Sequence, residues 1–414
     1  MALPEHGLTH DDILAALAGK RARDARWQDG RTFGMVYDGG PEVHAIAEAV
    51  AHLYLHENAL NTFAFPSLGE IQSEVVRATA DLFHGGPDAA GFMTSGGTES
   101  ILMCVKAARE RARAERGVTA PEMVIPESAH AAFHKAAHYF GVRVHKVPVA
   151  EDWRADVDLM AGCVNENTVL VAGSAPQYPQ GVIDPIPDLA QLAAAAGASM
   201  HVDACMGGFV LPFLELNGET VPPWDFRVDG VTTISADIHK LGYAPKGASV
   251  ILHRTKELRR YQTFVFDDWL GGFYASPNMQ GTRSGLPMAT AWAVMHRLGI
   301  EGYRRLTQVT VDAAREMIAG VRAVPGLRVL GEPEAHVLAL AAADGAIDVF
   351  ALGDALQQRG WFLDRQGPPD SLHATVSAGN AAVIGDFVDD LRACVDEVGA
   401  ARTDDRSTNY ATLE

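Results

Sequence analysis

Ser235-Ala-Asp-Ile-His-Lys-Leu-Gly-Tyr-Ala-Pro-Lys-Gly247 decides how this 414-residue chain is read. The apolar run 231–234 leads into it and reads as a buried strand, and Gly242, Pro245 and Gly247 break the backbone just beyond. Lys240 therefore stands at a buried strand end, where an ammonium is costly unless it is paired or chemically employed. An amine whose pKa is lowered by desolvation or by a neighbouring cation becomes a good nucleophile toward carbonyls.

Two upstream segments supply partners. His201-Val-Asp-Ala-Cys-Met-Gly-Gly208 follows an Ala-rich helical stretch, 189–196, and places Asp203 at the carboxyl end of a short strand. That is the end at which open α/β sheets bind ligands. Phe92-Met-Thr-Ser-Gly-Gly-Thr-Glu-Ser-Ile101 runs into a helix expected to about residue 115. Gly96 and Gly97 permit close approach of the backbone, Ser95, Thr98 and Ser100 add hydroxyls, and the amides of the helix start point at an anion. Alone, each feature has a plainer reading: a turn, a helix cap, a surface lysine. In this order, each at a strand end, they describe a site for pyridoxal phosphate, with the phosphate on the helix start, Asp203 against the pyridine N–H and Lys240 as the Schiff-base lysine.

Composition narrows the setting. The chain carries 52 acidic and 34 basic residues, a formal charge of −18, which argues against nucleic acid and anionic membrane surfaces as partners. Its 48% hydrophobic content supports a large core. The four cysteines, Cys104, Cys163, Cys205 and Cys394, lie far apart without CxxC spacing and read as free thiols of a reducing compartment. No secretory signal and no apolar run near the ~20 residues of a membrane span is visible. A cytoplasmic protein is expected.

Residues 1–65 read as an N-terminal arm with helices at 11–23 and 42–56. Residues 66–287 read as a large cofactor-binding domain: helices 70–83, 101–115, 129–140 and 189–196 alternate with strands 123–126, 142–148, 168–174, 200–203 and 231–234. Such alternation predicts an α/β fold with a mostly parallel sheet covered by helices. A long helix from residue 288, continuing toward 324, leads into a smaller C-terminal α+β domain, 288–400, with strands at 328–330, 336–341, 361–364 and 372–376 and helices at 348–359 and 382–399. Residues 401–414 read as a flexible tail.

The motifs quoted above, with Pro126-Glu-Ser-Ala-His-Ala-Ala-Phe133, Tyr178-Pro-Gln-Gly-Val-Ile-Asp-Pro185, Leu82-Phe-His-Gly-Gly-Pro87, Asp268-Trp-Leu-Gly-Gly-Phe-Tyr-Ala-Ser-Pro277 and Gly281-Thr-Arg283, resemble the sphingosine-1-phosphate lyase family. That family belongs to the group II decarboxylase branch of fold-type I pyridoxal phosphate enzymes, and the resemblance spans roughly residues 30–400. It implies that His130 stacks on one face of the cofactor ring with Ala204 against the other. It implies a phosphate held by Gly97, Thr98, Ser235 and His239 of one subunit and by Gly281 and Thr282 of its neighbour, hence a homodimer with shared active sites. It also implies that Lys246 engages a substrate phosphate and that Tyr37 handles a proton beside the substrate. The chain departs from the pattern at Asn61, where a histidine is usual, and at Ile238 and Leu241, which replace Thr and Tyr.

The expected reaction is retro-aldol cleavage of a phosphorylated long-chain base to a fatty aldehyde and phosphoethanolamine. An amino-acid decarboxylase is the alternative, with a cation such as Arg283 binding the carboxylate; a non-catalytic subunit of the same fold is a further one. His130, His134 and His138 at i, i+4, i+8, and His52 with His56, have the spacing of helical metal ligands. No cysteine or carboxylate completes a set, and no metal is expected.

Overall fold

The structure is a computed structural model and describes residues 3–408. Seven strands form the central sheet: β1 (Ala90–Thr94), β2 (Glu122–Pro126), β3 (Arg143–Val147), β4 (Thr168–Ser174), β5 (Ser199–Asp203), β6 (Val231–Ala236) and β7 (Ser249–His253). Their order is β1-β7-β6-β5-β4-β2-β3. Strands β6, β5, β4, β2 and β3 run parallel, and β7 lies antiparallel to both of its neighbours. Every residue of β2, β4, β5 and β7 is buried, because helices cover both faces. The sequence signal for β7 is weak: it follows the turn carrying Lys240 without a helix between, so the alternation that marks its neighbours is missing.

In chain order the helices begin with α1 (His10–Arg21), α2 (Pro41–Leu53), α3 (Pro66–Leu82), α4 (Gly97–Arg116) and α5 (Ala132–Phe140). Pro66 opens α3 at a position where the missing N–H costs nothing. Its buried stripe, Leu68, Val75, Val76, Thr79 and Ala80, recurs at helical spacing and packs on the sheet. A helix from Gly285 to Arg322 breaks at Gly299, whose φ of 56° favours glycine.

The remaining strands are a hairpin, β8 (Phe264–Phe266) and β9 (Tyr274–Ser276), and a four-stranded antiparallel sheet, β10 (Leu327–Val329), β11 (Val337–Ala342), β12 (Asp364–Gln366) and β13 (Ser371–Thr375), in the order β10-β11-β13-β12. The hairpin has no counterpart in the expected elements. The strand expected at 361–364 begins only at Asp364. Residue 362 instead pairs with the arm, Phe33 N donating to Phe362 O at 3.0 Å and Phe362 N to Arg31 O at 2.9 Å. Phe33 thereby joins the core beside the four-stranded sheet, its ring 6.0 Å from Trp361 and 5.1 Å from Phe387.

Of the tail expected to be flexible, 409–414 lie outside the described residues. Residues 401–408 are pinned by side chains: Arg402 donates to Ala346 O at 3.1 Å, and Arg406 pairs with Asp348 at 2.8 Å. Among the described residues, no helix is long and apolar enough to cross a membrane.

Candidate active site

The carboxyl ends of β4 and β5, the N-terminus of α4 and the turn between β6 and β7 converge on a cavity of about 300 Å³. Ser95, Gly96, Gly97, Thr98, Glu99, His130, Tyr178, Asp203, Cys205, Asp237, His239 and Lys240 line it. Three segments distant in sequence thus meet at one place.

Asp203 ends β5 and is buried. Its Oδ1 accepts from the Cys205 amide at 3.0 Å and from Ser235 Oγ at 3.2 Å. Ser235 Oγ in turn lies 3.1 Å from His201 Nε2, and His201 Nδ1 lies 2.9 Å from Thr233 Oγ1. Burial holds His201 down to about 4, so its ring is neutral. With Ser235 donating to Asp203, the His201 proton sits on Nε2 and Thr233 donates to Nδ1. Two hydrogen-bond donors and a backing histidine keep Asp203 oriented as an acceptor facing the cavity.

Ser235, expected at the phosphate, is fully buried behind Asp203 and does not line the cavity. The register explains why: Asp203 and Ser235 are directly paired in the parallel β5–β6 ladder, so their side chains leave the same face side by side. Ala204 is likewise fully buried, its N–H donating to Ser235 O at 2.9 Å.

At the other end of the cavity, Gly96 and Gly97 begin α4, whose first amides have no partner within the helix. A Cβ on Gly97 would come within 2.6 Å of Cys205 Sγ and 3.0 Å of Asp237 Oδ2, so only glycine leaves this wall open. Glu99, buried in the first turn, accepts from Ser95 N at 2.6 Å and Ser95 Oγ at 2.8 Å with one oxygen. Its other oxygen accepts from Met279 N at 2.8 Å. One carboxylate therefore ties the Gly-rich turn to the segment leading into Gly281 and Thr282, which are exposed and do not line this chain's cavity. The Gly-rich cradle, the helix start and the opposed Asp203 fit the two ends of pyridoxal phosphate.

Lys240 Nζ lies 3.1 Å from Asp237 Oδ2, and His239 Nε2 lies 3.7 Å from the same oxygen. Burial would raise Asp237, but Lys240 and His239 together hold it below the ordinary carboxylate range. His239 Nδ1 accepts from Ala248 N at 3.1 Å, which leaves the ring proton on Nε2 toward the cavity. Lys246 is exposed and lies outside the cavity lining, its Nζ donating to His239 O at 3.0 Å and lying 4.5 Å above the Tyr37 ring. The surrounding protein, and then the Lys240 ammonium, bring Lys246 down to about 8.

His130 lines the cavity from the turn before α5, its Nδ1 accepting from Ala132 N at 3.1 Å. Because α5 begins only at Ala132, His130 does not share a helix face with His134 and His138, both of which are exposed. Among the described residues, no three His, Cys, Asp or Glu side chains gather as metal ligands. Arg283, expected to bind a carboxylate in a decarboxylase, donates instead to Gln72 Oε1 and Met93 O, both at 3.1 Å, and lies outside the cavity lining. Burial pushes the Cys205 thiol well up, so it packs rather than reacts. Ile238 and Leu241 are core residues, and Asn61 caps its own turn through Phe63 N at 2.9 Å. Sequence reasoning did not single out Tyr178, Asp237 or Glu99 as site residues. For Asp237 a signal existed, since it precedes Lys240 by three positions within one turn.

A family model described as the pyridoxal-dependent decarboxylase conserved domain matches residues 8–340. Sphingosine-1-phosphate lyase of Arabidopsis thaliana is 41% identical over 96% of this chain and 74% of its own length. Sphingosine-1-phosphate lyase 1 of Rattus norvegicus is 41% identical over 96% of this chain and 70% of its own. Among solved structures, the Burkholderia pseudomallei sphingosine-1-phosphate lyase superposes with a TM-score of 0.91 at 41% identity, covering 96% of this chain and 92% of that one. A Lactobacillus brevis glutamate decarboxylase has a TM-score of 0.84 at 22% identity, over 97% and 96% of the two chains, a likeness of fold.

Proposed function

The chain belongs to the sphingosine-1-phosphate lyase family of pyridoxal-dependent decarboxylases, and from that premise we propose how its residues carry out the cleavage of a phosphorylated long-chain base. It is a pyridoxal phosphate-dependent carbon–carbon lyase of the fold-type I class. The products are a fatty aldehyde and phosphoethanolamine. When bound, the cofactor supplies an electron sink for the pair released as a bond to the amine-bearing carbon breaks.

The protein's own part is orientation and charge. Gly96, Gly97 and Thr98 offer the amides and hydroxyl of the α4 start to the cofactor phosphate, and His239 adds its ring N–H. Asp203 would pair with the pyridine nitrogen, and Lys240 Nζ, fixed beside the cradle by its ion pair with Asp237, would attach the cofactor through its aldehyde. His130 forms the outer wall of the cavity. Lys246 binds the substrate phosphate, and the Tyr37 hydroxyl, below that ammonium, holds or takes a proton beside the substrate.

The observation that favours cleavage of a phosphorylated amine over decarboxylation is Lys246, a cation hydrogen-bonded to the backbone of the cavity-lining His239 that pairs with no carboxylate among the ion pairs of the described residues. The test is incubation of the holoenzyme with dihydrosphingosine-1-phosphate, scoring fatty aldehyde and phosphoethanolamine. Carbon dioxide from amino acids, with no aldehyde, refutes the reading. Lys246→Ala is expected to lower kcat/KM by about 10²-fold, the value of a charged hydrogen bond, with cofactor absorbance unchanged. Since the ammonium form binds the phosphate and sits at about 8, kcat/KM should fall as pH rises through about 8. Wild-type turnover in the variant excludes the role.

A second copy supplies Gly281 and Thr282 in this proposal. The β8–β9 hairpin leaves Phe264, Val265, Trp269, Leu270 and Phe273 exposed in one chain, an apolar surface of the kind that marks an interface. Leu270→Glu is expected to yield monomers by sedimentation with at least about a tenfold loss of cofactor affinity. A monomeric variant that keeps wild-type cofactor affinity would exclude the shared site. Free thiols at all four cysteines accord with the cytoplasm as its compartment.

A further inference from the structure

Tyr178 is held from the small domain. Its hydroxyl donates to Asp364 Oδ2 at 2.9 Å, and its ring stacks on His373 with centroids 3.8 Å apart. Asp364 and His373 are direct partners across the β12–β13 ladder, so one patch of the small sheet grips one side chain of the large domain. Gln366 Nε2, two residues on, donates to Pro179 O at 2.6 Å and fixes the same turn. A backbone approach completes the contact: a Cβ on Gly181, at φ +77°, would fall 2.0 Å from Val337 O.

Behind this contact lies a second cavity of about 310 Å³, lined among others by Glu127, Ser128, His130, Tyr178, Asp364 and Gln366. Tyr178 and His130 line both cavities, whereas Asp364 lines only the second. The Tyr178–Asp364 hydrogen bond thus crosses the partition between them. Burial raises Asp364 above the ordinary carboxylate range, against the opposing effect of the Tyr178 hydroxyl. Around it stand His373, driven down to about 3 by burial and hence neutral, His130, also lowered by burial, and Glu127 across the cavity. Arg365, its neighbour in sequence, is engaged by Asp354 and Asp405. No group in this set keeps a fixed positive charge on the Asp364 carboxyl, which is free to exchange a proton.

We propose that Tyr178 and Asp364 form a proton relay joining the cofactor cavity to the second cavity, with Asp364 as the positioning residue that acts through the Tyr178 hydroxyl. This rests on the lyase reading. As the Tyr178 oxygen takes a proton from the cofactor cavity, its own O–H bond breaks and an O–H bond forms on Asp364 Oδ2. Asp364 then yields that proton to water in the second cavity, and the reverse sequence returns one. Charge and atoms balance at each transfer. Retro-aldol cleavage releases a proton from the substrate hydroxyl and needs one at the amine carbon, so a path open in both directions serves both halves of the reaction.

The test uses the holoenzyme and dihydrosphingosine-1-phosphate across a pH series. Absence of aldehyde from the wild type would defeat the lyase reading itself. With an active wild type, kcat should decline as pH falls through the Asp364 pKa, because the carboxylate form accepts the proton. Asp364→Asn should lower kcat by about 10²-fold with KM within about twofold, remove that acid limb, and regain rate in proportion to added formate. Infrared titration of the holoenzyme should show a carboxyl band that the Asn variant lacks. An Asn variant that keeps the wild-type limb, or one that loses rate equally at every pH with no response to formate, would overturn the relay. Should that variant fail to fold, Asp364→Glu retains the carboxyl and should move the limb to a different pH; a limb that stays in place would overturn it equally.

Discussion

Lys240→Ala should be inactive, with turnover down by about 10⁴-fold or more, because no other amine stands where Lys240 Nζ does and nucleophile losses are of this size. Lys246, six residues on, is held outside the cavity lining by His239 O and the Tyr37 ring. A second consequence concerns the fold. Removing the ammonium leaves the buried Asp237 without its closer cation, with His239 at 3.7 Å as the remaining one, and breaking such a pair costs about 3 kcal/mol. Cofactor-free Lys240→Ala should therefore melt below the cofactor-free wild type at neutral pH. The sign of the pH dependence follows from Asp237, whose pKa in the folded wild type is depressed. Its ion pair stabilises above the unfolded carboxylate value of about 4, and that stability is lost as pH falls through the folded value, so the melting difference should close in acid. Lys240→Arg separates the two effects: it restores a cation for Asp237 but no nucleophile, so stability should return without activity. Measurable aldehyde production by Lys240→Arg, or an Ala variant as stable as wild type at neutral pH, would sink this account of the site.

The three segments that build the cofactor end of the site are legible in the sequence for a local reason. Each joins a buried strand to a glycine-rich or helical turn within about ten residues, so strand end, turn and functional side chain can be read together. What is carried by tertiary contact cannot be read this way. Tyr178 reaches its partners 186 positions away at Asp364, through β12, which the apolar pattern placed at 361–364. The apolar residues there are real, but Trp361 is buried against the arm's Phe33 rather than in a ladder of the small sheet. Ser235 shows a subtler limit. The family resemblance implies Ser235 as a phosphate ligand, whereas the pairing register of β5 and β6 sets its hydroxyl against Asp203. The period of two within each strand was visible; the alignment between strands was not. The apparent histidine triplet fails for a similar reason, since it presumes a helix that begins three residues before α5 does.

Asp203→Asn is expected to lower kcat by about 10³-fold while leaving the fold and covalent attachment of the cofactor in place. The substitution keeps size and shape, so Oδ1 can still accept from the Cys205 amide and Ser235 Oγ. What changes is the second oxygen: an amide N–H would face the cavity where a carboxylate had accepted a proton. Three side chains in series keep that acceptor in place, Thr233 through His201 to Ser235. With His201 neutral at physiological pH, none of them supplies a charge that could replace the lost one. The variant should therefore bind the cofactor, with a small change in melting temperature, yet stabilise poorly the negative charge that develops at the amine carbon. Asp203→Glu, which keeps the charge but lengthens the arm in a buried pocket, should recover part of the rate. Turnover of Asp203→Asn within about threefold of wild type would mean that the carboxylate is a structural cap on β5, and that the sink's strength comes from elsewhere.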